Sequence, residues 1–519
     1  MIQNLAQLQA IETNLGGLYV LGNDIGSSSY YNSTFRTIGT DTPFSGVFDG
    51  LGHSISKLSI TSGSPYAGLF GLNTGRIANL ALKSLGVGAA AGPGPVAIGA
   101  LAGENRGEIS NVVVSDSSVS AGVNRGNVLG GLVGVNRGTV AQSSFAGKVE
   151  GNGMSYAVGG LVGESNGKEE TVTISDSTAN AAVSGGAPNM AALGGFVGVN
   201  RGGTILNATS LGTTSANNLS GVNVGGLVGA HLAGRIENGK AFGRTTGGSG
   251  GTAGGLAGYN GGTIVRSIAS GVVDGKSAQA IGGFVGLNQG TVSNSNALGA
   301  VTSASSGATG GFVGINQGRD ASIDHAEAHG AVSGGQGNNG GFVGSHLGGT
   351  IAHSVARGKT TGGDNSKTGG FVGQNSSMLA DNDASGDVAA GKNASVGGFA
   401  GSNAASGILD VAAATGNVQS SDRGNVGGLV GDNQGEVFGS AASGVVSGNY
   451  YATLGGLVGL NAGLVENSTA RGRVNYGSAS WQHVYGGLVG VNRGTIRGSY
   501  AVGAAAQPQL AGINLGVIE

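Results

Sequence analysis

The chain has 519 residues, of which 112 are glycine, 6 proline and none cysteine, with 25 Lys+Arg against 27 Asp+Glu and a formal net charge of −2. Glycine does not recur at every third residue and proline is scarce, which excludes collagen; the lack of cysteine excludes a disulfide scaffold, and the charge disfavours a nucleic-acid binder driven by counterion release. A single core rarely grows past about 250–300 residues, so regularly placed small apolar residues in a chain this long point to a repeat protein.

In chain order, residues 1–60 read as an N-terminal cap with the first coils, and residues 61–519 as the repeat array. Leu5, Leu8 and Ile11 are spaced for a short helix around Asn4 to Thr13, which would block an otherwise open strand edge. The N-terminus lacks the basic-then-apolar pattern of a secretory signal. Nothing reads as membrane-spanning: the softest candidate, Gly86 to Gly103, is Gly/Ala-rich and interrupted by Pro93 and Pro95. The sequence stops inside a motif, at Leu510 to Glu519, and so reads as a piece of a longer protein. A cysteine-free composition suits export through oxidising compartments.

The repeated unit is Gly-Gly-(Leu/Phe)-Val-Gly-x-Asn-x-Gly, clear at Gly130–Gly134, Gly194–Gly198, Gly282–Gly286 and Gly486–Gly490. Fifteen copies have their second residue between positions 68 and 487, a mean spacing of about 30 residues, in the range of stacked repeats. After each motif comes a segment such as Val292, Ala297, Gly299 and Val301, whose small apolar residues recur mostly at every second position, as on the packed face of a strand. Several glycines per unit disfavour a helix, at about 1 kcal/mol each. Two or three short strands per coil, with like coils stacked, describe an all-β parallel solenoid of about fifteen coils. The glycines are expected to supply positive-φ corners and to let the walls approach closely. The asparagine falls five residues after the second glycine, at Asn73, Asn105, Asn136, Asn200, Asn260, Asn288, Asn316, Asn375, Asn403, Asn433, Asn461 and Asn492. Stacking would align these side chains into a structural ladder, with Ser165, His231 and His346 as alternative polar rungs.

These repeats resemble the GLUG motif. The opening, Leu8 to Ile11, Leu15 to Ile25 and Phe44 to Ile60, resembles the lead-in of filamentous-haemagglutinin-type exoproteins. The resemblance implies an elongated right-handed parallel β-helix, extracellular or on the bacterial surface. It implies export by an outer-membrane partner acting through a region outside this chain, and a role in attachment to biofilm matrix or host cells. Similar repeats also flank the catalytic domain of immunoglobulin-A-cleaving metallopeptidases.

Chemistry is sparse. His325 and His329 approximate a zinc-protease motif, but Glu327 is at the wrong offset and a strand holds the two imidazoles about 13 Å apart. The charged residues around Arg319 to His329 therefore read as a solvated face. The run from Asp381 to Asp387 imitates a calcium loop, yet Lys392 stands where the bidentate glutamate belongs, so an ordinary strand is expected. Polysaccharide lyases and hydrolases on this fold need clustered carboxylates or basic groups, and the charges here are thinly spread. No enzyme activity, cofactor, metal, nucleic acid or membrane insertion is expected. Aromatic residues gather late in the chain, and Tyr450, Tyr451, Tyr476, Trp481, His483 and Tyr485 form the candidate ligand site. As an exposed shelf they would stack on the sugar rings of an exopolysaccharide or host glycan; the other reading folds the rings onto the solenoid wall.

Overall fold

The computed structural model describes residues 1–27, 34–89, 96–122, 126–167, 172–189, 191–304, 306–475, 483–502 and 510–519. It is nearly all β, with about 2% helix, and forms a parallel β-solenoid of about 15 turns, about 30 residues apart. Two units divide the chain: Met1–Gly251 with Gly255–Gly271, and Thr252–Gly254 with Val272–Glu519. Among the described residues no helix is long and apolar enough to cross a membrane.

One coil of the second unit shows how the repeat folds. The strands are Ala280–Gly282, Val285–Asn288, Thr291–Ser293, Asn296–Ala297 and Val301–Thr302. This is five segments rather than the two or three expected, because corners cut the second half of the repeat into pieces of two or three residues. Each segment pairs in parallel with its counterpart one coil on: Gly282 with Gly310, Asn288 with Asn316, Val292 with Ile323, Ala297 with Ala328 and Val301 with Val332. Asn294 has φ 50°, and this left-handed residue resets the in–out parity. Val292 and Ser295, three apart, therefore both face inward, followed by Ala297 and Val301. The same corner recurs in the first unit at Asn79, Asn111, Asn207 and Asn238. There the exposed amides bond coil to coil, Asn111 Nδ2 donating to Asn79 Oδ1 at 2.9 Å and Asn238 Nδ2 to Asn207 Oδ1 at 3.0 Å.

The paired glycines of the motif act through close approach. A Cβ on Gly282 would run into the Val285 carbonyl oxygen and lie 2.7 Å from that of Phe312. Neither Gly282 nor Gly283 has positive φ, whereas the last glycine of a motif can have it, as Gly318 does (φ 106°); other left-handed positions are shared between glycines such as Gly234 and Gly349 and non-glycine residues, Asn foremost. The expectation of glycine corners therefore holds at positions such as Gly318 and is corrected for the paired glycines. The close approach leaves room for one large side chain after each pair. In the second unit Phe284, Phe312, Phe342, Phe371 and Phe399 stack with centroids 4.6–4.9 Å apart and rings within 12° of parallel, all fully buried.

The N-terminal helix is shorter than the spacing predicts: Leu5–Gln9 is α-helical and Ala10–Thr13 continues as a 3₁₀ turn. Asn4 caps it by accepting the Gln7 N–H at 3.0 Å. Leu8 and Ile11 are buried, while Gln9 and Glu12 bond the backbone of Arg36 and Gly39.

The asparagines after the motif are fully buried and joined with a single polarity. In runs of adjacent asparagines Nδ2 donates to the Oδ1 of the next coil: Asn73 to Asn105 at 2.7 Å and Asn105 to Asn136 at 2.9 Å in the first unit. In the second unit the same bond runs from Asn375 through Asn403, Asn433 and Asn461 to Asn492 at 2.8–2.9 Å, and on to Asn514, a rung the motif count did not include. Asn260, at the same position, accepts the Gly262 N–H, and Asn288 donates to Asn316 at 2.7 Å. Histidine fits because Nδ1 can accept. Asn200 donates to His231 Nδ1 at 3.0 Å. Asn316 donates to His346 Nδ1 at 3.2 Å, and His346 Nε2–H then donates to the Met378 carbonyl at 3.1 Å.

Candidate functional site

In the second unit, four successive coils enter the glycine strand through a two-residue turn whose second residue is left-handed: Asn365 (φ 57°), Asn393 (φ 54°), Arg423 (φ 59°) and Tyr451 (φ 59°). Asparagine tolerates this conformation and a bulky side chain resists it, so Arg423 and Tyr451 occupy strained positions. The turns stack through backbone bonds. Asn365 N–H donates to the Lys392 carbonyl at 2.7 Å, Asn393 to Asp422 at 2.9 Å and Arg423 to Tyr450 at 2.8 Å.

Two columns of side chains stand on these turns, Asp364, Lys392, Asp422 and Tyr450 in one, and the left-handed residues in the other. Asp364 Oδ1 accepts the Lys392 N–H at 2.8 Å, and Lys392 Nζ lies 3.6 Å from Asp422 Oδ2. The Arg423 guanidinium sits 5.8 Å from the Tyr451 ring centroid, a cation–π contact of about 0.5–1 kcal/mol at an exposed site. Tyr450 and Tyr451 are 49% and 55% exposed. They and Lys392, Asn393, Asp422 and Arg423 line a cleft of about 330 Å³. The arrangement offers aromatic faces for a flat apolar group, with cationic and amide donors beside them.

The other aromatic candidates go elsewhere. Tyr485 lies in strand Val484–Gly486, opposite Leu454, and packs on the buried cluster of Val426, Val446 and Leu454. His483 is half-buried, and burial holds its pKa below the ordinary value. Tyr476 and Trp481 lie outside the described residues. The aromatic reading missed Asp364, Lys392, Asn393, Asp422 and Arg423. A signal for them exists: Asn365, Asn393, Arg423 and Tyr451 each stand five residues before the second glycine of their motif.

The two other candidate segments also resolve by coil. Asp381 to Ala384 belongs to strand Met378–Ala384, with Asn382 buried and bonded to Ile351 and Ser354, so its acidic residues do not wrap a common centre. His329 bonds Glu327 at 2.8 Å within its own coil, whereas His325 faces His353 of the next.

Residues 277–302 and 450–475 match the GLUG motif. The chain carries GLUG repeats. The second match begins at Tyr450, so the cleft lies at a GLUG repeat. A stretch of 193 residues is 34% identical to halomucin of Haloquadratum walsbyi, covering 35% of this chain and 2% of halomucin's length. Among solved structures, a Bacteroides ovatus protein named as immunoglobulin A1 protease-like is 23% identical, with a TM-score of 0.36 over 53% of this chain and 76% of that one.

Proposed function

We propose that this chain is a non-enzymatic segment of a surface or secreted repeat protein, an adhesin of the filamentous-haemagglutinin type that contacts exopolysaccharide or host glycan. The GLUG repeats and the similarity to halomucin support a surface or secreted repeat protein. The observation that carries the adhesive reading is the pair Tyr450 and Tyr451, exposed side by side above Arg423 and the Lys392–Asp422 pair. Tyrosine is an amphipathic anchor, and basic groups beside it suit sugar hydroxyls or carboxylates. A stacked array presents such a contact rigidly, since each coil is held by its neighbours.

The test is binding of purified bacterial exopolysaccharides and a glycan array to the parent and to a Tyr450→Ser, Tyr451→Asn variant. Asparagine at 451 is the residue type of the neighbouring turns, so the fold is kept. The parent should bind, and the variant should bind about tenfold or more weakly, the equivalent of about 1.4 kcal/mol. Equal binding by the two, or none by the parent, overturns the assignment of the cleft. New reducing ends in the incubated polymer would overturn the non-enzymatic reading.

A further inference from the structure

A second cluster, independent of the glycan reading, lies at the other left-handed corner of the second unit. Successive coils there carry Asn294, His325, His353 and Asp381, with φ between 47° and 51°. The corner makes no demand for histidine, because Val411, Gly439 and Asn467 fill the same place in later coils. Yet two of the seven histidines of the chain stand on adjacent rungs. Asp324, the last residue of strand Ser322–Asp324, is in register with Ala352, so its carboxylate reaches both rings. Oδ2 lies 2.8 Å from His325 Nδ1 and Oδ1 lies 2.8 Å from His353 Nδ1. The imidazoles stack with centroids 4.8 Å apart. Asp381 Oδ2 lies 3.8 Å from the far nitrogen, His353 Nε2.

We propose that Asp324, His325 and His353 form a binding site for a divalent transition metal of the zinc class. One ligand atom from each of the three side chains, a ring nitrogen from each histidine and a carboxylate oxygen, lies within 4.8 Å of the other two. A tetrahedral zinc with bonds of about 2.0–2.1 Å sets its ligand atoms about 3.3 Å apart. The 2.8 Å contact of the ligating oxygen must therefore open by about half an ångström, and the widest pair, at up to 4.8 Å, must close by about 1.5 Å, which exposed side chains allow. Imidazole ligands select zinc, copper or nickel over calcium and magnesium. Asp381 Oδ2, 3.8 Å from His353 Nε2, needs only a small side-chain approach on metal binding to accept the Nε2–H, which would orient that ring and raise the basicity of Nδ1. Three protein ligands on an exposed corner leave the remaining positions to water.

The experiment is calorimetric titration of the whole chain with ZnCl₂, with CaCl₂ in parallel, repeated on His325→Asn, His353→Asn and Asp381→Asn. Asparagine is native to this corner, so the variants keep the fold. Co²⁺ absorption reports the ligand set independently. One zinc equivalent should bind the parent, be lost in both histidine variants, and weaken about tenfold in the Asp381 variant. Absence of zinc binding by the parent below millimolar concentration overturns the proposal. So does unchanged binding in His325→Asn and His353→Asn, which would move the metal to another site such as Glu327 and His329.

Discussion

Replacing His346 by asparagine should abolish one specific acid sensitivity of the second unit. His346 is fully buried, its Nδ1 faces the amide donor of Asn316, and its Nε2–H is spent on Met378. A second proton would have to enter Nδ1 against an N–H donor, in a site without water to solvate the charge. Burial accordingly pushes the pKa of His346 down to about 4 from 6.5. The unfolded chain takes up this proton as pH falls through about 6.5, and the native chain resists until about pH 4. Stability from this rung is therefore fully present above pH 6.5 and is lost as pH falls from 6.5 to about 4. At 1.36 kcal/mol per pKa unit the loss is about 3 kcal/mol. His231 in the first unit, also held at about 4 by burial, should behave alike. Solenoids open locally, so the assay is hydrogen exchange of the coils around residue 346 at pH 7.5, 6, 5 and 4. The difference between the parent and His346→Asn cancels the titration of carboxylates. The variant should lose the pH 6.5-to-4 slope around residue 346 and keep that around residue 231. A His346 ring resonance titrating near pH 6.5, or an unchanged slope in the variant, would refute the reasoning.

Within the phenylalanine stack, Phe342→Ala should cost about 3–5 kcal/mol of local stability. Phe342→Leu should cost less, since Leu429 and Leu457 are buried at the equivalent position of later coils; denaturant-dependent exchange ranks the two. A Cβ on Gly311 would run into the Gly341 carbonyl oxygen and lie 3.3 Å from Ala328 Cβ. Gly311→Ala should therefore destabilise its coil by about 1–3 kcal/mol, more than alanine at Gly63, where a Cβ would meet nothing within 4 Å. Asn403→Ala takes from Asn375 Nδ2 one acceptor, leaving it the Ser377 carbonyl at 2.9 Å, and takes from Asn433 Oδ1 its Asn403 donor. The expected loss is about 1–3 kcal/mol, read as faster exchange in the coils on both sides.

Much of this architecture is legible in one dimension because a solenoid coil has its own sequence image as its neighbour. Asn403 meets Asn375 and Asn433, 28 and 30 residues away, and the motif period is that same distance. The glycine pairs, the Leu/Phe slot and the asparagine offset therefore follow from periodicity, as does the parallel fold. Parity does not follow, because a left-handed residue such as Asn294 places Val292 and Ser295 on the same face. Composition also gathered tyrosines that the fold separates. Tyr485 lies in a strand and turns onto the wall, whereas Tyr450 and Tyr451 stand on a turn and face outward. Only stacking brings Arg423 over Tyr451 and Asp324 onto His353. Those residues lie a full coil apart, and nothing in the sequence marks which exposed side chains meet until the corners are in register.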